Sequence, residues 1–303
     1  MDIQKAKDFI RKNARPVELA EFQCHFENGS GTALVQALAA YQNPDGGFGR
    51  ALEPDNWNPG SSPITTNDAI GRLFEAGALD KAGAITEGVV RYLSGGDGLN
   101  QEKQRWLFAI DGNQDHPHAI WWEKDGDGIS GWNPTVSLAA FLVCMGTPGP
   151  WRELVREAFL ELEQAEEKAA DGLKCYILAW EFLKSYGMEG VIEFDRARTA
   201  IQAALSRSIC RDSEKYGVEY VPAPSWFFQR NLSFLYEEAQ PLIRAELEVL
   251  DRLQMEDGGF DISWQWYTPY PDEFEQARAW WRPRVTMEKL RFYRLFEGEH
   301  SIK

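Results

Sequence analysis

Leu38-Ala-Ala-Tyr-Gln42-Asn-Pro-Asp45-Gly46-Gly47-Phe48 returns 212 residues later as Leu250-Asp-Arg-Leu-Gln254-Met-Glu-Asp257-Gly258-Gly259-Phe260, with six of eleven positions identical. Internal repetition at a fixed offset marks an architecture assembled from like units. Each copy has the same mechanical reading. A helix stops at the glutamine, the aspartate and paired glycines supply a turn with room for positive φ, and the phenylalanine drops back onto the core. A weaker echo is Trp57-Asn58-Pro59 against Trp132-Asn133-Pro134.

Outward from these turns the apolar spacing is helical. From Trp151, the positions Trp151, Leu154, Val155, Ala158, Phe159 and Leu162 form one apolar stripe, opposite Arg152, Glu153, Glu157, Glu161 and Glu163. Less regular stripes cover residues 3–14, 33–42, 195–208, 242–254 and 285–296, whereas 135–145 and 173–182 are apolar nearly all round and read as helices buried on every side. Strand alternation is scarce, so an all-α chain is expected.

The 303 residues carry 32 basic and 47 acidic side chains, a net charge of −15. With 44% hydrophobic residues the chain can bury a core, which excludes wholesale disorder. The negative charge and the lack of a basic stripe argue against nucleic acid. The longest apolar run, Leu138 to Met145, falls far short of the roughly 20 residues of a membrane span. Charged residues Lys5, Lys7, Asp8, Arg11 and Lys12 stand where a secretory signal places an apolar block, and Cys24, Cys144, Cys175 and Cys210 lack disulfide or zinc-ribbon spacing, so a reduced cytoplasm is expected.

The LxxxQxxDGGF unit followed by a loop and a helix resembles the helical hairpin of the terpenoid cyclase and protein prenyltransferase superfamily. That resemblance implies a single α/α toroid over residues 1–303, with about six hairpins in inner and outer rings and loops gathered at one end of a central cavity. Six hairpins give about 50 residues each, and 212 is close to four of them. The superfamily's catalytic signatures do not carry over. The chain has no DxDD, no DDxxD and no placeable zinc triad of Asp, Cys and His. The dipeptide Cys24-His25 alone does not make the zinc site of lanthionine-forming toroids. Asn67, Gly71 and Glu75 have the spacing of a terpene-synthase magnesium motif, but glycine takes the hydroxyl position, and the match reads as coincidence.

Four interruptions between helices, Gly47 to Ile64, Asp115 to Thr135, Asp212 to Phe228 and Gly258 to Pro283, hold about a quarter of the chain and nine of its twelve tryptophans. Trp57, Trp121, Trp122, Trp132, Trp226, Trp264, Trp266 and Trp281, with His116, His118 and Arg282, are therefore candidate ligand-binding residues in an aromatic-walled pocket; Trp280 is the ninth. The plainer alternative is that the rings pack the loops onto helix ends. The same loops hold the candidate acids and bases Glu53, Asp55, Asp125 and Asp127, whose pKa values burial beside tryptophan could separate. Residues 123–129 begin like a calcium loop, but Pro134 stands where its last carboxylate belongs. His116 and His118, two apart, do not form a helix-face metal pair, and no metal or other cofactor is assigned. Arg278, Arg282 and Arg284 around Trp280 and Trp281 offer an anion contact or pair with surplus surface acids.

Two enzymatic readings follow. Aromatic faces stabilise carbocations, which fits an isoprenoid-type small molecule and is slightly preferred on the strength of the repeat. Tryptophan stacking with paired carboxylates fits a glycosidase or polysaccharide lyase acting on a saccharide. The third reading is a toroid that binds a ligand or partner without chemistry.

Overall fold

The computed structural model describes residues 1–165, 170–236 and 239–300, without the side chains of Ser233 and of residues 298–300. It is mostly helical: α1 (Ile3–Asn13), α2 (Pro16–Phe26), α3 (Gly31–Ala39), α4 (Pro63–Glu75), α5 (Gly83–Gly95), α6 (Thr135–Cys144), α7 (Trp151–Gln164), α8 (Ala170–Ser185), α9 (Phe194–Ser208), α10 (Ser233–Tyr236), α11 (Gln240–Leu253) and α12 (Pro271–His300). A two-stranded antiparallel ribbon, Leu99–Asn100 with Arg105–Trp106, is the one paired strand set among the described residues. No described helix is long and apolar enough to cross a membrane.

Contacts group the chain into two compact units. One comprises Met1–Ser30, Ser208–Trp266 and Tyr270–Lys303; the other comprises Gly31–Arg207 and Tyr267–Pro269. In the second unit α6 is buried at every position, as its all-round apolar sequence requires, and it packs on α7 and α8. The stripe Trp151, Leu154, Val155, Ala158, Phe159 and Leu162 is the buried face of α7, each large side chain contributing about 1.5–3 kcal/mol. In the first unit Phe9 and Ile10 of α1, Phe22 of α2 and Met287 and Leu290 of α12 form one cluster.

The repeated sequence is repeated in atomic detail, once in each unit. The Gln42 amide donates to the Gly46 carbonyl at 2.9 Å, as Gln254 does to Gly258 at 2.9 Å. Asp45 Oδ1 accepts from the Gly47 N–H (2.9 Å) and Asp257 Oδ1 from the Gly259 N–H (3.0 Å). The N–H groups of Phe48 and Phe260, both fully buried, donate to the hydroxyls of Thr66 and Thr286 on the following helices α4 and α12. Gly46 and Gly258 take φ of 101° and 91°, which favours glycine.

The helix packed against each turn also corresponds. Gln42 Nε2 donates to the Ile85 carbonyl in α5, and a Cβ on Gly46 would lie 2.0 Å from the Gly88 oxygen. Gln254 Nε2 donates to the Asp2 carbonyl at the start of α1, and a Cβ on Gly258 would lie 2.4 Å from the Lys5 oxygen. Ile85 and Gly88, like Asp2 and Lys5, are three residues apart. The N-terminal helix thus stands to the second turn as α5, which follows α4, stands to the first.

Two local expectations need correction. The loop expected over Gly258 to Pro283 ends at Tyr270, and Trp280, Trp281, Arg278 and Arg282 lie on α12. Pro271 with Asp272 and Glu273 starts that helix well. Pro283 lies in its interior despite a cost of about 3 kcal/mol, which the burial of Ala277, Val285, Met287, Leu290 and Phe292 offsets. Helices α4 and α5, rich in Thr, Gly and Val, fall where no apolar stripe was read.

Candidate functional site

In the first unit, α2 runs Pro16-Val-Glu18-Leu-Ala-Glu21-Phe22-Gln-Cys24-His25-Phe26, and its buried face includes two carboxylates: Glu18 is 0% and Glu21 4% exposed. Burying a carboxylate is costly without a partner. Arg15 supplies a two-pronged one, Nε to Glu18 Oε2 at 2.8 Å and Nη2 to Oε1 at 2.7 Å. The same guanidinium lies 5.2 Å from the Trp280 ring centre on α12. Glu21 Oε1 is 3.9 Å from His25 Nε2.

From α12 an aromatic ladder extends into the loops. Trp281 meets Trp264 edge to face at 5.2 Å and 85°. Trp264 meets Tyr220 at 5.7 Å and 75°, and Tyr220 meets Trp226 at 4.9 Å. Arg284, one turn from Trp281, holds its guanidinium 5.0 Å from that ring and pairs with Glu288 at 3.6 Å. Tyr220 is 55% exposed and the three indoles are partly so. The indole N–H of Trp281 is buried with no hydrogen-bond partner among the described residues. Two of the interruptions, 212–228 and 258–270, thus converge with α12 on one aromatic feature.

Other expected binders in this unit are engaged in packing. Trp266 is fully buried, 6.1 Å from Phe274. Arg282 donates to both Asp257 oxygens at 2.9 Å and sits over Phe9, so it clamps the repeated turn rather than presenting itself to a ligand. Arg278 binds Asp261, and that hydrogen-bonded guanidinium holds the Asp261 carboxyl below its ordinary range.

In the second unit the interruptions 47–64 and 115–135 are joined by backbone bonds: Trp57 N–H to the Pro117 carbonyl (3.0 Å) and Ala119 N–H to the Asp55 carbonyl (2.9 Å). Buried Asn113 accepts from the side chains of Asn56 and Asn58 and donates to the Trp122 carbonyl, and Thr268 donates to the His118 carbonyl at 2.7 Å. His118 is buried, with Nδ1 2.6 Å from the His116 carbonyl. Asp55 is 2% exposed and Glu53 half-buried.

The tryptophans here divide. Trp57, half-buried, donates to the Pro54 carbonyl, and Trp121 is half-buried. Trp122 is buried, stacked on Phe108 at 5.0 Å. Trp132 is buried with its indole N–H on Glu161 (2.8 Å) and the Arg105 guanidinium 3.4 Å from its ring, so both its polar edge and a face are engaged by the protein.

Asp125 and Asp127 form a surface turn. Asp127 is ion-paired with exposed Lys103 and also accepts from the Ile129 N–H at 3.1 Å, contacts that hold its carboxyl below the usual range. A general acid needs the opposite displacement. Asp125 is exposed, its carbonyl closing the turn to Gly128. Among the described residues no group of three His, Cys, Asp or Glu is arranged to hold a metal ion.

Glu18, Glu21 and Arg15 escaped the sequence reading. The available signal was an acid at i and i+3 inside a helix whose remaining positions are mostly apolar. Comparisons with family models, curated proteins and solved structures give no match for this chain.

Proposed function

We propose that the chain is an α/α toroid of helical hairpins that binds a saccharide on the ladder Trp226, Tyr220, Trp264 and Trp281. The toroid is supported by the twice-built turn and by α1, which stands where the next hairpin's helix would, so that the last hairpin is completed by the first residues of the chain. The saccharide is supported above all by one observation: four rings that are all at least partly exposed meet in one ladder, with the Arg284–Glu288 ion pair at its Trp281 end. Sugar rings present apolar C–H faces to aromatic rings and hydroxyls to polar and charged groups.

The isoprenoid reading retains one specific support besides the repeat, the Arg284 cation held over Trp281 at 5.0 Å, a ring face suited to positive charge. Native mass spectrometry separates the two. The purified chain is offered neutral oligosaccharides and prenyl diphosphates in parallel, with Trp264→Ala as control. Oligosaccharide adducts lost in the variant support the proposal. Adducts with prenyl diphosphates alone overturn it in favour of the second reading.

A further inference from the structure

We infer that the buried cluster Glu246, Ser225 and Lys289 is a positioning device that sets Trp226 in the aromatic ladder; its functional meaning rests on the reading of that ladder as a ligand platform. Glu246 on α11 is 0% exposed, Ser225 is buried, and the Lys289 side chain on α12 is nearly so. Four bonds close the set. Ser225 donates its N–H to Glu246 Oε2 at 2.7 Å and its hydroxyl to Oε1 at 2.6 Å. Lys289 donates to the Ser225 hydroxyl oxygen at 2.6 Å and to Glu246 Oε1 at 2.8 Å.

Such a cluster is a poor source of stability, because desolvating both ions offsets most of their attraction and apolar replacement is often neutral. What it supplies is direction: three of the four bonds end on Ser225, the residue before Trp226. The flanking chain is fixed as well. Ala223, Pro224, Phe227 and Phe228 are buried, and Gln229 Nε2 donates to the Ser225 carbonyl at 3.0 Å. Between its buried neighbours Ser225 and Phe227, Trp226 is half-exposed, and it meets Tyr220 on the ladder. Despite the short serine–lysine contact, Ser225 does not have the setting of a nucleophile. Its hydroxyl is buried and committed to Glu246, and the lysine that would serve it is held by the same carboxylate. The cluster acts through Trp226.

The test uses the full chain labelled with 5-fluorotryptophan, the Trp226 fluorine line being assigned by its loss in Trp226→Phe. The double substitution Glu246→Met with Lys289→Met removes both charges together and avoids a lone buried ion. Expected is a folded protein whose Trp226 line alone broadens or splits, while the Trp106 and Trp151 lines stay put, with affinity for cellohexaose, xylohexaose or mannohexaose falling at least tenfold. An unchanged Trp226 line in the folded double variant overturns the inference. If the double variant does not fold, Ser225→Ala is read the same way, since it removes the bridging hydroxyl and keeps the ion pair. If none of the three hexasaccharides binds the unsubstituted chain, the platform reading fails for these probes, while the Trp226 line still decides whether the cluster positions that ring.

Discussion

Replacing Gly258 by alanine should unseat α1. The residue has φ of 91°, where an L side chain costs about 1–2 kcal/mol. Its new Cβ would lie 2.4 Å from the Lys5 oxygen and 2.6 Å from the Lys5 carbonyl carbon, backbone atoms that yield only if α1 moves away. That movement breaks the two bonds by which Gln254 holds the helix start, Asp2 N–H to Oε1 at 2.6 Å and Nε2 to the Asp2 carbonyl at 2.9 Å, each worth about 0.5–1.5 kcal/mol. The total is about 2–5 kcal/mol, a large share of a typical domain's stability. Urea unfolding gives the loss, and hydrogen exchange locates it, with the α1 amides expected to lose protection first. Gly46→Ala, with φ of 101° and a Cβ 2.0 Å from the Gly88 oxygen, should cost as much and deprotect α5 instead. A Gly258→Ala protein within about 0.5 kcal/mol of the parent, with α1 still protected, would refute the claim that the two turns do the same mechanical work.

Three further outcomes are expected. Because Arg278 lowers the Asp261 carboxyl below its ordinary 3.8, this pair contributes stability at higher pH that is lost as pH falls through the lowered value; acid titration of unfolding should be flatter below pH 4 in Asp261→Asn, and parallel curves would exclude the pair as a source. Asp127→Asn should leave oligosaccharide binding unchanged, since its carboxylate faces exposed Lys103, and a loss of binding measured by native mass spectrometry would return it to the site. Burial pushes the Cys175 thiol up to about 11 and Cys144 to about 12, so iodoacetamide at pH 8, mapped by peptide mass spectrometry, should modify the half-buried Cys24 and Cys210 first; equal labelling of Cys175 would contradict its place in the core.

The turns were legible because their chemistry is local. Gln254 donates to Gly258 and Asp257 accepts from Gly259, all within six residues, so recurrence of the letters announced recurrence of the geometry. The α7 stripe was legible for the same reason of short range. Pro283 misled, since a breaker read locally says nothing of the apolar burial that carries α12 through it. Glu18, Glu21 and Glu246 were hidden because an acid in a helical pattern reads as solvent-facing until its partners are known. For Glu246 those partners, Ser225 and Lys289, come from 21 residues before it and 43 after it. Trp132 shows the converse. Its placement in a loop suggested a ligand, whereas Arg105 and Glu161 from the ribbon and α7 already occupy its face and its N–H.

A crystal structure of the chain soaked with the tightest-binding oligosaccharide tests the central claim most directly. The account predicts a sugar ring stacked against Trp264 or Trp226, its hydroxyls toward charged side chains. A sugar bound elsewhere with the ladder rings untouched, or a prenyl chain lying along the ladder in a parallel soak that excludes sugar, would contradict it.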